Sequence, residues 1–420
     1  MHDTKKNKEK FILVAVETEN LTLDVDRSLD ELEELVKTSG GEVCGRIIQK
    51  RDVPHRGHYV GTGKVDEIKD LISLYDAEGI VCDDELSNTQ IRNLAQELDV
   101  KVLDRTLLIL DIFANRALSA EGKAQVLLAQ LKYRLSHLSG IGKSLSRLGA
   151  GIGTRGPGET KLETDRRHIR NRITELTEEL RNIENHRKVL RDNRKRQSSV
   201  VVSLVGYTNA GKSTIMNTFT GSDVYADNKL FATLDTTARK LSLNGQSEVI
   251  LTDTVGFIHK LPATLVKAFR ATLEELKYSD IIIHVVDAAS PYRDMHIKVV
   301  YDTLSDLEIS GKPIITVFNK MDLEVEFPLP TDKMATKEVL LSAIENRGHE
   351  DFINSILDIL KEMRKPIKLL IPYTEGSLLN IIRERCEILE EEYQNNGVYI
   401  LAYVDDEIFN RSEKFIISHF

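Results

Sequence analysis

The stretch "GYTNAGKST", residues 206–214, decides the fold of the chain around it. It fits the pattern G-x-x-x-x-G-K-[ST] in full, follows an apolar run typical of a strand, and opens a helical pattern. Glycines let backbone N–H groups close around phosphate oxygens, and the following helix presents its positive end to the anion. We therefore predict a phosphate-binding loop in which Lys212 reaches the β- and γ-phosphates and Ser213 binds Mg2+.

Two further motifs follow in the order that a guanine-nucleotide domain requires. "LTDTVG" (251–256) is an apolar strand that ends in Asp253, whose carboxylate can hold the metal through water, and the N–H of Gly256 can meet the γ-phosphate. "FNKMD" (318–322) ends another buried strand, where Asp322 can accept from both N1–H and the 2-amino group of guanine. Adenine would leave that carboxylate unpaired, so we expect guanine specificity. A small-molecule kinase would explain the first motif but not this one.

Four segments of different character predict a multidomain α/β fold. Strand and helix patterns alternate through residues 1–112, which indicates a small N-terminal α/β domain. Residues 113–196 hold two long amphipathic patterns joined by a glycine-rich stretch, typical of an antiparallel helical hairpin. Alternation returns in residues 197–365, the Ras-like P-loop domain, and a strand, helix and strand in residues 366–420 predict a small C-terminal α/β domain.

Bulk composition places further limits on the class of protein. The chain has 420 residues, of which 41% are hydrophobic and 29% charged, so we expect it to be globular throughout. No apolar run reaches the length that spans a bilayer, and the N-terminal stretch lacks the features of a signal peptide. Three scattered cysteines show no metal spacing and indicate a reduced, cytoplasmic protein. The net charge of -9 argues against indiscriminate nucleic-acid binding.

The predicted hairpin carries a net positive charge, whereas the whole chain is negative. Residues 139–196 carry 15 Lys or Arg against 8 Asp or Glu, a balance of 15 − 8 = +7. Cations on a projecting hairpin can pair with RNA phosphates, although a charged run is also typical of a solvated helix face. The predicted RNA contacts are Arg155, Gly156, Lys161, Arg166 and Arg167.

Two weaker patterns lie in the N-terminal domain. "GTGK" (61–64) suggests a second phosphate site, but a glycine turn that caps the next helix is the better interpretation. His55 and His58 sit in a polar loop, and two histidines without further ligands make a poor metal site.

Taken together, these patterns resemble the HflX family of the Obg–HflX translation-factor GTPases, and the resemblance covers nearly the whole chain. Outside the shared nucleotide motifs, the resemblance rests on "YVGTGKVDEI" (59–68), "DRTLLILDIFANRA" (104–117), "EGKAQVLLAQLKY" (121–133) and "GTRGPGETKLETDRR" (153–167). "LFATLDTTAR" and "DTVGFI" also match.

The resemblance implies a Mg2+-dependent GTPase that binds the large (50S) ribosomal subunit and its rRNA and dissociates stalled or idle 70S ribosomes under stress. It implies an N-terminal HflX domain, for which ATP is a second candidate ligand. We expect a monomer in the cytoplasm, with loose membrane association as a further possibility. A regulatory GTP switch that acts mainly on a protein partner is the alternative function.

The resemblance also selects the metal threonine. Composition leaves Thr233, Thr236 and Thr237 as candidates, and the family position in FATLD implies Thr233. Two departures from the family are Thr236 where it usually has Pro, and Ile344 where it often has Lys. Lys212, Thr233 and Gly256 are the predicted catalytic residues, and Ser213 and Thr233 the predicted metal ligands. The predicted GTP site comprises Gly206, Tyr207, Thr208, Asn209, Ala210, Gly211, Lys212, Ser213, Thr214, Phe231, Ala232, Thr233, Leu234, Asp235, Asp253, Thr254, Val255, Gly256, Asn319, Lys320, Met321, Asp322, Ser342, Ala343 and Ile344.

Phe257 occupies the position where Ras-type GTPases have a glutamine that orients the attacking water. Its ring can neither donate nor accept a hydrogen bond, so we expect slow intrinsic hydrolysis and a polar group supplied or ordered by a partner. Packing of Phe257 beneath the following helix is the other interpretation, and both can hold.

Overall fold

The computed structural model describes residues 8–19, 24–138, 157–196, 200–221, 230–231, 237–243, 247–260, 273–363, 365–404 and 406–419. Within these ranges the chain forms three β-sheets with flanking helices, which confirms the predicted multidomain α/β class.

The first sheet is entirely parallel, with strand order β2-β1-β3-β4. Its strands are β1 (Lys10–Glu17), β2 (Glu42–Lys50), β3 (Gly79–Cys82) and β4 (Lys101–Asp104). Its helices are α1 (Val25–Ser39), α2 (Thr62–Tyr75), α3 (Asn88–Leu98) and α4 (Arg105–Arg116). α1 is capped at its C-terminus by Gly40 in the left-handed region, and Ser87 forms a capping box with Gln90 at the start of α3. Parallel strands bring the residues after β3 and β4 to one edge.

Two long helices form the predicted hairpin, α5 (Ala120–Leu138) and α6 (Pro157–Arg196). Ala124, Leu128 and Leu131 of α5 pack against Leu176 and its neighbours on α6. The helices run antiparallel, because Arg187 pairs with Glu121 near the start of α5 and Arg166 donates to the carbonyl of Leu138 at its end. Helix α5 also contacts the first domain, since the Tyr133 hydroxyl donates to Asp104 at 2.9 Å.

The second sheet carries the P-loop, with strand order β10-β9-β8-β5-β7-β6. Its strands are β5 (Val201–Gly206), β6 (Thr237–Leu243), β7 (Ser247–Asp253), β8 (Ile281–Asp287), β9 (Ile314–Asn319) and β10 (Lys337–Leu340). Its helices are α7 (Lys212–Thr220), α8 (Arg293–Asp306) and α9 (His349–Met363). All neighbouring strands pair in parallel except β6, which pairs antiparallel with β7. β6 is an edge strand with several polar residues, and its sequence pattern does not predict a strand. β5, β7, β8 and β9 therefore end at the same edge.

The third sheet is antiparallel, with order β12-β13-β11-β14. It consists of β11 (Lys365–Ile371), β12 (Glu387–Gln394), β13 (Gly397–Val404) and β14 (Ile416–His419), with helices α10 (Gly376–Arg385) and α11 (Asp406–Ser412). The predicted strand–helix–strand order is only partly correct, because the helical pattern of residues 377–394 ends at Arg385 and Glu387–Gln394 forms β12 instead; β14 is a further strand. None of the described helices is both long and apolar enough to cross a membrane.

Candidate nucleotide site

The loop between β5 and α7 needs glycine at two positions. Gly206 has φ of 156°, and a Cβ there would lie 2.3 Å from the carbonyl oxygen of Val285. Gly211 has φ of 96°, and its Cβ would lie 2.2 Å from Nδ2 of Asn319. No side chain fits at either position, so the loop backbone packs directly against β8 and against Asn319 at the end of β9.

Lys212, the first residue of α7, is 6% exposed, and its side chain folds back over this loop. Its Nζ donates to the carbonyl oxygens of Gly206 at 3.1 Å and Tyr207 at 2.8 Å. An ammonium has three N–H donors, so a third can reach a phosphate oxygen. Burial lowers the pKa of Lys212 to about 8, against the opposing charge of Asp253. A bound phosphate would add a closer counter-charge for this buried amine.

The end of β7 places hard oxygen donors beside the start of α7. Ser213 Oγ donates to Asp253 Oδ2 at 2.8 Å, and the carboxylate is fully buried. Mg2+ prefers oxygen ligands such as hydroxyls and carboxylates. These two side chains could therefore hold a magnesium ion between the protein and the phosphates.

Gly256 lies tightly against the P-loop. A Cβ on it would lie 3.0 Å from both Lys212 Nζ and Thr208 Cα. The next residue extends this contact, because Phe257 N donates to the Gly206 carbonyl at 3.1 Å and Thr208 N donates to the Phe257 carbonyl at 2.8 Å. The segment 253–257, here called the DTVG loop, is thus paired with the P-loop beside Lys212.

The residues after β9 and β10 form the half of the candidate site where we predict that the base binds. Asn319 Nδ2 donates to the Ala210 carbonyl at 2.9 Å, and its Oδ1 accepts from the Ala343 N–H at 3.2 Å. Asn319 therefore joins three loops. The sequence places the Ala343 N–H where it could meet guanine O6, and in this structure that N–H donates to Asn319 Oδ1.

Asp322 is held in place by a neighbour on the next loop. Ser342 Oγ donates to Asp322 Oδ1 at 2.6 Å, and Ser342 is fully buried. Carboxylate oxygens accept more than one hydrogen bond each, so this contact leaves Asp322 able to accept from guanine.

Lys320 has a partner that the sequence reading did not assign. Its Nζ pairs with Asp287 Oδ2 at 2.6 Å, and both side chains are 20% exposed. The aspartate at the end of β8 reads from sequence as an ordinary strand cap, a role that Asp280 does fill by accepting from Val201 N at 2.7 Å. Asp287 also accepts from the Ala289 N–H at 3.1 Å, so it caps the strand end and in addition anchors Lys320, whose stem we expect over the guanine ring.

The contacts bring four predicted segments together, 206–214, 253–256, 319–322 and 342–343. Two predicted residues turn their side chains elsewhere. Tyr207 is 5% exposed with its ring stacked on His296 at 3.8 Å, and Phe231 is 2% exposed and meets Phe113 of α4 edge-on at 4.6 Å. Only their backbones are left to contact a nucleotide.

Among the other predicted positions, Ile344 is 77% exposed. The metal threonine and its surroundings lie outside the described residues, as do two of the RNA candidates; these positions are Ala232, Thr233, Leu234, Asp235, Arg155 and Gly156. Lys161 lies in α6, with a side chain outside the description. Arg166 is half-buried and anchors the hairpin at Leu138, whereas Arg167 is exposed.

The weaker N-terminal patterns have structural roles. Gly61 precedes α2, as predicted, and Lys64 pairs with Glu67 on the same helix at 2.6 Å. His55 Nδ1 accepts from the loop backbone, and His58 pairs with Glu97 at 2.8 Å. No group of three or more metal-binding side chains occurs within the described ranges.

Comparison with known proteins gives consistent matches along the chain. Family models match residues 26–114, described as "GTP-binding GTPase N-terminal", 116–194, "GTP-binding GTPase Middle Region", and 201–320, "50S ribosome-binding GTPase". The GTPase HflX of Lacrimispora saccharolytica is 51% identical over 407 residues, 97% of this chain and 96% of that protein. The GTPase HflX of Escherichia coli is 39% identical over 401 residues, 94% and 93% of the two chains. A solved structure of a GTP-binding protein from Sulfolobus solfataricus in complex with GDP covers 84% of this chain and 99% of its own, at 24% identity and a TM-score of 0.44.

Proposed function

The chain belongs to the HflX family of GTPases, and from that premise we propose that it binds the large ribosomal subunit in its GTP state and dissociates stalled or idle ribosomes under stress. The match of residues 201–320 to a "50S ribosome-binding GTPase" supports this partner. The observation that carries the proposal is that the segments of Lys212, Gly256 and Asp322 converge in one candidate site, on the same chain as a hairpin of local charge +7.

Phosphoryl transfer to water is the proposed chemistry. Lys212 and the P-loop amides bind the β- and γ-phosphates and stabilise the charge that develops during transfer. Ser213, Asp253 through water, and Thr233 would hold Mg2+, which would neutralise charge on the phosphate oxygens. Asp322 and Asn319 orient the guanine, and the Gly256 N–H donates a hydrogen bond to the γ-phosphate when GTP is bound.

Phe257 makes the proposed partner necessary for fast hydrolysis. Its side chain is 2% exposed and packs with Val205, Leu273 and Leu276. Most of the helix predicted to cover it, residues 261–272, lies outside the described residues, so packing beneath that helix stays a prediction. The phenylalanine ring has no polar atom that could orient the attacking water. We propose that the ribosome supplies or orders a polar group that does so. GTP would then favour the ribosome-bound state and hydrolysis would favour release.

We expect nucleotide-dependent co-sedimentation with purified large subunits. With a non-hydrolysable GTP analogue the protein should pellet with the subunits, and with GDP it should stay in the supernatant. The same subunits should accelerate single-turnover GTP hydrolysis. Equal pelleting with both nucleotides and an unchanged rate would contradict the proposal and favour a switch that acts on another protein.

The hairpin predicts a local effect on this binding. Arg155→Ala should weaken binding to large subunits and reduce the slope of log affinity against log salt by about 1, because one phosphate contact is lost. GTP affinity should be unchanged. Arg172→Ala is the matched control, since Arg172 is exposed on α6 and pairs with Glu175 on the same helix. Equal losses for both variants would mean that only bulk charge matters.

Three further features remain proposals about this chain. They are a monomeric state, a cytoplasmic location, and ATP as a second ligand of the N-terminal domain. The contacts of Gly61 and Lys64 are those of a helix start, so ATP stays a prediction without structural support.

A further inference from the structure

The third residue of the P-loop, Thr208, carries a buried hydroxyl that has no partner. Thr208 is 6% exposed, and its Oγ1 has no hydrogen-bond partner within the part of the chain that the structure describes. Burial of a hydroxyl without a partner costs free energy, because its hydrogen bonds to water are lost and not replaced. Such a group is rare in folded proteins and indicates a function for it.

Neighbouring hydroxyls of the candidate site are already bonded. Ser213 Oγ donates to Asp253 Oδ2 at 2.8 Å, and Thr254 Oγ1 donates to the carbonyl oxygen of Leu204 at 2.7 Å. These two hydroxyls hold protein segments together, whereas the Thr208 hydroxyl holds none among the described residues. It is therefore able to bond with a ligand at no cost to the fold.

The backbone of Thr208 leaves this hydroxyl as its one donor for a ligand. The Thr208 N–H donates to the carbonyl oxygen of Phe257 at 2.8 Å, so the backbone donor is used within the protein. The same bond fixes the Cα of Thr208 beside the DTVG loop. A threonine side chain rotates between staggered positions, so a bound acceptor selects the rotamer in which the hydroxyl faces it.

The Thr208 side chain lies where we expect the γ-phosphate. A Cβ on Gly256 would lie 3.1 Å from Thr208 Cγ2 and 3.0 Å from Lys212 Nζ. The threonine side chain and the lysine ammonium thus approach the same point of the DTVG loop. A γ-phosphate that accepts from Lys212 and from the Gly256 N–H has Thr208 as its next neighbour.

We propose that Thr208 is a specificity-determining residue, whose hydroxyl donates a hydrogen bond to a γ-phosphate oxygen of GTP. The inference rests on the proposed function, in which Lys212 and Gly256 bind that phosphate. GDP has no acceptor at this position and leaves the hydroxyl without a partner. The bond forms in the GTP complex and persists during phosphoryl transfer, so it strengthens GTP binding and leaves the rate of the bound complex unchanged.

Thr208→Val in the full chain tests the inference, because valine keeps the shape of the side chain and removes only the hydroxyl. Affinity for a non-hydrolysable GTP analogue should fall by on the order of 10- to 100-fold, the usual effect of one hydrogen bond to a charged group. GDP affinity should be unchanged. The KM for GTP should rise by the same factor, with kcat unchanged. Thr208→Ser keeps the hydroxyl and should restore the affinity for the analogue.

Thermal unfolding separates this role from a structural one. Without nucleotide, Thr208→Val should unfold at the temperature of the original protein or above it, since it loses no hydrogen bond among the described residues. The GTP analogue should stabilise the variant less than the original protein, and GDP should stabilise both equally. Thr303→Val is the matched control, because the Thr303 hydroxyl donates to the Val299 carbonyl within α8 at 2.7 Å. The control should bind both nucleotides normally.

Three results with Thr208→Val would overturn the inference: unchanged affinity for the analogue, an equal loss of affinity for the analogue and GDP, or a lower kcat with unchanged KM. These assays contain only protein and nucleotide. Failure of the original protein to bind large subunits would therefore contradict the proposed function and leave the role of Thr208 standing.

Discussion

Replacing Asp322 by asparagine is expected to weaken GTP binding by about 10²- to 10⁴-fold, since two charge-assisted hydrogen bonds are worth about 1.5–3 kcal/mol each. The same change is expected to make xanthosine triphosphate the preferred nucleotide. The reversal of preference is the more informative result, because a damaged site would lose both ligands.

Hydrogen-bond polarity explains the reversal. Guanine offers N1–H and a 2-amino group, both donors, to the Asp322 carboxylate. An asparagine amide turns one acceptor into a donor, which then faces the 2-amino group. Xanthine has a carbonyl oxygen in place of that amino group and can accept from the new amide. The Ser342 hydroxyl, which donates to Asp322 Oδ1 at 2.6 Å, can still donate to the amide oxygen and hold it in place.

Equilibrium binding of fluorescent GDP and XDP to the two proteins measures this effect. Asp358→Asn is the matched control, because Asp358 lies exposed on α9 of the same domain and pairs with Lys337. We expect the control to bind GDP normally and to reject XDP. Tight GDP binding by Asp322→Asn would place the guanine edge elsewhere and contradict the site described above.

The convergence of the segments in the candidate nucleotide site was predictable from sequence because each segment is defined locally. Residues 206–214 specify a strand–turn–helix on their own, and Asp253 and Asp322 each follow an apolar strand, so parallel order brings them to one edge. The predicted strands of the first two sheets are all present for the same reason. β6 was missed because it is an exposed edge strand, with polar residues where a buried strand would be apolar.

The contacts between the N-terminal domain and the GTPase domain could not be predicted, because no local pattern encodes them. Lys260 pairs with Asp83 across a separation of 177 residues, and Tyr207 with Glu31 across 176. Each residue alone resembles an ordinary surface charge or loop aromatic. Tyr207 and Phe231 were accordingly assigned to the nucleotide, whereas their side chains pack at the N-terminal domain. Tertiary contact decides such positions, and only the fold supplies it.

Replacing Lys212 by methionine is expected to lower the rate of GTP hydrolysis by at least about 10²- to 10³-fold, the usual cost of one donor to developing charge. The methionine keeps the apolar stem inside the P-loop but offers no donor. The carbonyls of Gly206 and Tyr207, which accept from Nζ, would lose that partner, and some weakening of GDP binding should accompany the loss.

The pH dependence of binding separates this electrostatic role from packing. Burial lowers the pKa of Lys212 to about 8 without nucleotide. A phosphate anion binds the protonated amine more tightly, so the bound state has a higher pKa. GDP affinity should therefore be constant below about pH 8 and fall above it, by up to about tenfold per pH unit, until the pKa of the bound state is reached.

Titrations of GDP binding between pH 7 and 9 with both proteins measure this difference. The original protein should lose affinity above pH 8, and Lys212→Met should not. Ionisation of guanine itself affects both proteins equally, so the difference between the two curves isolates the amine. If both curves fell in parallel, the buried ammonium would not be the group that binds the phosphates, and its contacts with Gly206 and Tyr207 would serve only the shape of the loop.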